Sequence, residues 1–355
     1  MRTESLQFLR DVVNTPSPSG YEQQAARVFR EYTGTFAATE TDVMGNTYAT
    51  INADAPVRVM LTGHIDELGF IVKHIGDDGL LYVAPVGGHD SIIPFGQRVW
   101  VHGFGARVNG VMGRRAIHLM SPDERTKRPE LHELWVDIGA RDGDQAKEII
   151  RLGDPITYQY EMAELLDDRV AARGFDDKMG AWVVAETLRV LADDMAGLHC
   201  SVTAVATVQE EIGLRGAHTA AYRCNPLVGI AVDVCHSIDY PGGDKKRHGD
   251  TVLGKGPVVC RGANINPVVF NMLVKAAQEA DIPLQLEVAA GGTGTDANAI
   301  QLSRAGVAAG LVAVPLRYMH TPGEVLSLAD MDNTVALLAA FIRLITPETS
   351  FIPMA

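Results

Sequence analysis

A chain of 355 residues, 46% of them hydrophobic, is long enough for one large core and a second, smaller one. Its formal net charge of −13 argues against nucleic acid as a partner, because phosphate binding needs clustered Lys and Arg. No apolar stretch is long enough to span a bilayer, so no membrane is expected as a partner either. The four cysteines (Cys200, Cys224, Cys235, Cys260) lack CxxC spacing and read as reduced, structural thiols, which points to the cytoplasm.

In chain order, residues 5–13 have the 3.6-residue rhythm of an amphipathic helix and do not resemble a signal peptide. After a break at Thr15–Gly20, Ser19 and Glu22 have capping-box spacing ahead of a helix to about Tyr32. Strands are expected over 46–51 and 57–61. From Gly69 to about Ile156 short strand-like pieces alternate with Gly-rich turns, and one helical piece (144–151) interrupts them. From about Arg169 the pattern becomes α/β: helices over 177–191, 214–223, 267–280, 296–305 and 328–345, strands over 201–209, 227–233, 283–289 and 308–314. The simplest architecture is a catalytic α/β domain made of 1–68 and 157–355, interrupted by a β-rich domain over 69–156.

Four of the apolar runs deliver polar residues. Val57–Gly63 ends in His64-Ile65-Asp66, 201–209 in Glu210-Glu211, 227–232 in Asp233, and 308–319 in His320. Ligands of open α/β sheets bind beyond the carboxyl ends of the strands, and adjacent carboxylates there are tolerable if a cation sits between them. In His64-Ile65-Asp66 the i and i+2 side chains share a face, so Asp66 can orient the imidazole. Asp176-Asp177 opens a long apolar helix, where an N-cap explains one Asp more easily than two. A carboxylate can bridge two cations, and Asp176 is favoured over the competing pair Asp167-Asp168, which no apolar helix follows. Of Glu210 and Glu211, one would ligate metal and the other hold a water as general base. Asp233 is the ligand candidate of its run, with His236, Asp239 and Asp244 solvated or supporting.

Two further stretches are set aside as cofactor sites. Gly249–Lys255 matches most of a P-loop, but Gly256 and Pro257 replace the Ser/Thr and the helix. Gly291–Asp296 lacks a βαβ context and reads as a wall of the substrate pocket.

The ordered set Pro16-Ser-Pro-Ser-Gly-Tyr-Glu22, Gly63-His-Ile-Asp-Glu-Leu-Gly-Phe70, Phe175-Asp-Asp-Lys-Met-Gly180, Val208-Gln-Glu-Glu-Ile-Gly213, Ala231-Val-Asp233, Gly294-Thr-Asp-Ala297 and Arg317-Tyr-Met-His320 resembles the tetrahedral (glutamyl/deblocking-type) aminopeptidases. These are co-catalytic dinuclear metallopeptidases, some of them labelled cellulases or endoglucanases. The resemblance implies a three-layer α/β/α, phosphorylase/hydrolase-like catalytic domain with a mixed central sheet, plus an inserted PDZ-like or barrel-like dimerisation domain. It implies one metal on His64, Asp176 and Asp233 and a second on Asp176, Glu211 and His320. Glu210 is then the general base, Asp66 the partner of His64, and the Asp176–Asp177 peptide cis. It also implies a homo-oligomer, dimers assembling to a dodecamer. Asn298 stands where a small residue is usual in its motif, and Met179 where a small or branched one is commoner.

The expected function is removal of N-terminal residues from peptides with two divalent ions per subunit. Zn²⁺ fits the His/carboxylate set, and Co²⁺ or Mn²⁺ share its ligand types. The rivals are a metal-independent glycosidase, which would leave two histidines and a bridging Asp idle, and a non-catalytic peptide-binding scaffold. The loop 291–298, the segment 317–323 and the loop after Asp233 are expected to shape the substrate pocket, with Arg317 and Lys245 as candidates for attracting acidic side chains.

Overall fold

The computed structural model describes residues 1–354. Eight strands form a mixed sheet in the spatial order Ala38–Thr41, Thr47–Ile51, Cys200–Thr207, Val57–His64, Val228–His236, Ala308–Leu316, Val258–Gly262, Gln285–Ala289. The four central strands, from Cys200–Thr207 to Ala308–Leu316, run parallel. They are buried almost throughout, as parallel strands covered on both faces must be. Helices Phe175–Asp193, Pro267–Glu279 and Leu328–Arg343 pack on one face, and Arg215–Cys224 and Asp296–Gln301 on the other. The molecule therefore has the three layers that the sequence led us to expect.

Six antiparallel strands between Gly69 and Tyr158 close into a barrel around its own apolar core, which includes Phe70, Val99, Met112 and Ile156. A third, three-stranded sheet joins Ala163–Glu164, Arg169–Ala172 and Glu324–Ser327.

Two glycines let the central helix lie against the sheet. A Cβ on Gly63 would fall 2.1 Å from the backbone of Gly180, and one on Gly180 would fall 2.2 Å from the carboxylate of Asp177. Only glycine permits that approach, and it sets the start of Phe175–Asp193 directly beside His64. The Asp176–Asp177 peptide is cis. In the same helix, the Trp182 indole donates to the Ser5 carbonyl at 2.8 Å and ties down the N-terminal helix Thr3–Asn14.

Several element boundaries differ from the sequence expectation. The strand begun at Val57 runs on to His64, and the one begun at Val228 continues three residues past Asp233. Asp233 is therefore a mid-strand residue and does not end its strand. The helix at Asp296 stops at Gln301. Ser19 and Glu22 form no capping box: helix Gln23–Thr33 has no side-chain cap, and both residues turn inward. Strands Ala38–Thr41, Val258–Gly262 and Glu324–Ser327 carry no recognisable period in the sequence.

Candidate active site

His64 is the last residue of its strand, in register with Thr207 on the neighbouring parallel strand. Beyond Thr207 the chain turns at Gln209, which has a positive φ of 56°, and presents Glu210 and Glu211. Asp66 fixes that turn. Its Oδ1 accepts from the Glu210 N–H (3.0 Å), and its Oδ2 accepts from the Glu211 N–H (3.2 Å) and the Ser19 hydroxyl (2.6 Å). Glu22 adds a further hold, accepting from the Gln209 N–H at 3.1 Å. This explains why Ser19 and Glu22 do not cap their helix.

Asp176 lies between two imidazoles. Its Oδ1 is 3.1 Å from His64 Nε2, and its Oδ2 is 3.2 Å from His320 Nε2. Glu211 Oε1 is 3.8 Å from His320 Nε2, and Glu210 Oε2 is 3.8 Å from His64 Nε2. Ligand atoms of His64, Glu210 and Asp233 lie within 4.8 Å of one another, as do those of His64, Asp176 and Glu211. All six sequence-derived candidates for metal and base thus converge, and all line one cavity of about 430 Å³.

The outward nitrogens of both rings have partners. His64 Nδ1 is 3.1 Å from the Asp66 carbonyl and 3.5 Å from its carboxylate. His320 Nδ1 is 3.0 Å from the carbonyl of Gly88, which follows the second barrel strand, Leu81–Val86. With an N–H donated outward, Nε2 would be the lone pair that each ring offers to a bound cation.

Three acidic residues that sequence reasoning missed support this arrangement from behind. Asp177 accepts from the His64 N–H (3.0 Å) and the Gly180 N–H (3.0 Å). Glu324 accepts from the Asp176 N–H (3.1 Å) and the His320 N–H (3.0 Å), so one carboxylate positions both. Glu67 is buried against Arg173 (2.5 Å) and Lys178 (2.8 Å) and accepts from the Ser17 N–H (2.9 Å). Local signals existed: Glu67 adjoins the His64-Ile65-Asp66 motif, and Glu324 follows His320 by four residues. Asp168, by contrast, binds the Ser327 hydroxyl and caps away from the cluster.

The electrostatics are those of a site short of positive charge. Burial opposes ionisation of Asp176, but hydrogen bonds from His320 and His64 outweigh it and hold its carboxyl well below the usual range. Burial, reinforced by Asp233, pushes Glu210 up to about 9 against the pull of His64. Burial likewise raises Asp233 to about 7 and lifts Glu211 well above its ordinary value, with Asp176 adding to both shifts. His64 is raised too, because Glu210, Asp176 and Asp66 outweigh the cost of burying its cation. Glu211 Oε1 is buried with no hydrogen-bond partner. Among the described residues no lysine or arginine lines the cavity. Divalent cations fit this donor set: they would occupy the orphaned oxygen and compensate the crowded carboxylates.

Two sequence expectations about the pocket need correction. Arg317 is held by Asp239 (Nε to Oδ1 2.8 Å) and Lys245 by Asp250 (2.6 Å), and neither lines the cavity. Cys235 and Cys260 are free thiols, as expected, yet both line the cavity and are not merely core residues. The 292–295 stretch, Met319 and the Val234–His236 stretch do contribute walls.

The carboxyls raised by burial carry protons below their pKa values, and a cation must displace these protons to bind. Metal affinity should therefore rise with pH between 6 and 8, with proton release on binding at pH 7. Calorimetry in buffers of differing ionisation enthalpy measures this. A pH-independent affinity without proton release would contradict the electrostatics described.

The sequence pattern of the M42 glutamyl aminopeptidase family matches residues 45–337. A lysyl aminopeptidase of Pyrococcus furiosus is 33% identical over 345 residues, covering 96% of this chain and 97% of that one. A TET aminopeptidase from a marine-sediment Thaumarchaeota archaeon superposes with a TM-score of 0.93 at 32% identity, covering 97% of each chain. A Pyrococcus horikoshii TET peptidase, described as able to assemble into a tetrahedron or a large octahedral shell, gives a TM-score of 0.84 at 28% identity over 95% of this chain and 99% of that one. The match across nearly the whole chain, with the histidine–carboxylate cluster at its centre, places this protein in the M42 glutamyl aminopeptidase family as a metal-dependent aminopeptidase.

Proposed function

We propose that the cluster holds two divalent cations, one on His64, Asp176 and Asp233 and the other on Asp176, Glu211 and His320. The observation that carries this reading is the placement of Asp176, each of whose oxygens faces a different imidazole at 3.1 and 3.2 Å. Zn²⁺ suits the mixed nitrogen and oxygen set best, with Co²⁺ or Mn²⁺ as alternatives of the same ligand type. When bound, the cations would polarise the scissile carbonyl and acidify the attacking water.

The remaining work falls to the chain's own residues. A Glu210 carboxylate oxygen takes the proton of the water as its oxygen attacks the carbonyl carbon. The same oxygen then gives that proton to the leaving amine as the C–N bond breaks. Burial among carboxylates raises the proton affinity of Glu210, and bound cations would keep it ionised until the water's proton reaches it. Asp66 positions two groups at once: its carbonyl and carboxylate lie beside His64 Nδ1, and its carboxylate grips the backbone of Glu210 and Glu211. The acidic rim suits the α-ammonium of a peptide N-terminus.

We further propose that residues 69–156 form a dimerisation domain inserted between catalytic segments 1–68 and 157–355, with dimers assembling to a dodecamer. Support comes from the separate barrel core and from Phe104, Ile117 and Leu119, large apolar side chains exposed on that part of the chain. The four unpaired cysteines agree with a reducing compartment such as the cytoplasm.

Replacing Glu210 by Gln should lower kcat on an aminoacyl-p-nitroanilide by about 10²–10⁴-fold while metal still binds. Retained activity would remove Glu210 from the mechanism. Light scattering after size exclusion should give about twelve chain masses, or two for an unassembled dimer. A monomer would rule out the assembly.

A further inference from the structure

One face of the eight-stranded sheet floors the cavity. Asp233 is in register with Ala313, and Cys260 with Glu287. Since Val258 pairs with Ala313, strand alternation puts Asp233, Leu311, Ala313, Cys260 and Glu287 on the same face, and all five line the cavity. Glu287 stands on the edge strand, three strands from Asp233, or roughly 14 Å at ordinary interstrand spacing. The floor between them is apolar or sulfur-bearing.

Glu287 differs from every other acidic residue of the cavity. It stands apart from the histidine–carboxylate cluster and belongs to neither group of converging ligand atoms, nor do the neighbouring thiols of Cys235 and Cys260. It is half-buried, and among the described residues no lysine or arginine shares the cavity with it. Burial alone acts on its carboxyl, with no neighbouring charge or hydrogen bond to offset it. A carboxylate held in this way, at the far end of an apolar floor, lacks its counter-charge.

We propose that Glu287 is the specificity residue of this site, selecting peptides whose N-terminal residue carries a long cationic side chain, lysine or arginine. The inference rests on the reading of the cavity as the aminopeptidase site. With the scissile bond at the cluster, the first side chain extends along the sheet. A flexible four-carbon stem packs on Leu311, Ala313 and Met319 and carries its ammonium to Glu287. The resulting charge-assisted hydrogen bond forms away from bulk water. A neutral side chain of the same length leaves the carboxylate desolvated and unpaired, and an acidic one is repelled.

The test compares the p-nitroanilides of L-lysine, L-norleucine and L-glutamate on the metal-loaded wild type, Glu287→Gln and Glu287→Lys. Norleucine keeps the stem and removes only the charge. The wild type should prefer lysine over norleucine by about tenfold or more in kcat/KM, equivalent to about 1.4 kcal/mol. Glu287→Gln should lose that preference, its lysine and norleucine kcat/KM values falling within about threefold of each other, and Glu287→Lys should shift towards glutamate. Equal wild-type rates on lysine and norleucine, or an intact preference in Glu287→Gln, would overturn the proposal. Calorimetric binding of L-lysinamide against L-norleucinamide separates this inference from the hydrolytic one. If no anilide is cleaved but lysinamide still binds better in a Glu287-dependent way, the peptidase reading fails and charge selection stands. If lysinamide binds no better, charge selection fails as well.

Discussion

The carboxylates of Asp176, Glu210, Glu211 and Asp233 share one pocket that, among the described residues, no lysine or arginine lines, and their mutual repulsion is the constraint around which the site is built. Two histidines alone cannot balance four acids, so the arrangement makes physical sense as the frame for cations. The surrounding layer is organised accordingly. Asp66, Asp177 and Glu324 spend their oxygens on backbone N–H groups of His64, Asp176, Glu210, Glu211 and His320 and so fix the positions of the candidate ligands. Such supporting partners decide how well a metal site is preformed.

The fold supplies this frame through a few close approaches. Parallel strands bring His64 and Thr207 level, and Gly63 against Gly180 lets the central helix begin beside them. The buried Glu67 clamps Arg173 and Lys178, which bind the backbone of the 13–15 segment, so the N-terminal region is locked to the loop after His64. The barrel also takes part: the Gly88 carbonyl at its margin meets His320. A segment that reads as an independent β domain thus orients a proposed metal ligand, so a shift of the barrel would be felt at the catalytic cluster.

Much of the site was legible because its residues interrupt apolar runs. Glu210-Glu211 and His64-Ile65-Asp66 stand out against the strands that deliver them, and Asp176-Asp177 against its helix. What stayed hidden depends on contacts between distant segments. Ser19 and Glu22 have the spacing of a cap, and nothing local reveals that Asp66 and Gln209 claim them instead. Arg317 looked free to bind substrate because its partner Asp239 is 78 residues away. Strand Val258–Gly262 follows Gly256-Pro257 without an alternating pattern, so the sheet edge that carries Cys260 opposite Glu287 could not be drawn from the sequence. The cluster was therefore readable, whereas the pocket floor that faces the substrate was not.

The central claim is that these carboxylates exist to hold two cations bridged by Asp176. Metal analysis of the purified, dialysed chain, with anomalous diffraction to locate the ions, tests it most directly. Two divalent ions per chain are expected on either side of Asp176, falling to one or none in Asp176→Ala. A fully active enzyme with a single ion, or an Asp176→Ala variant that keeps both, would contradict the account.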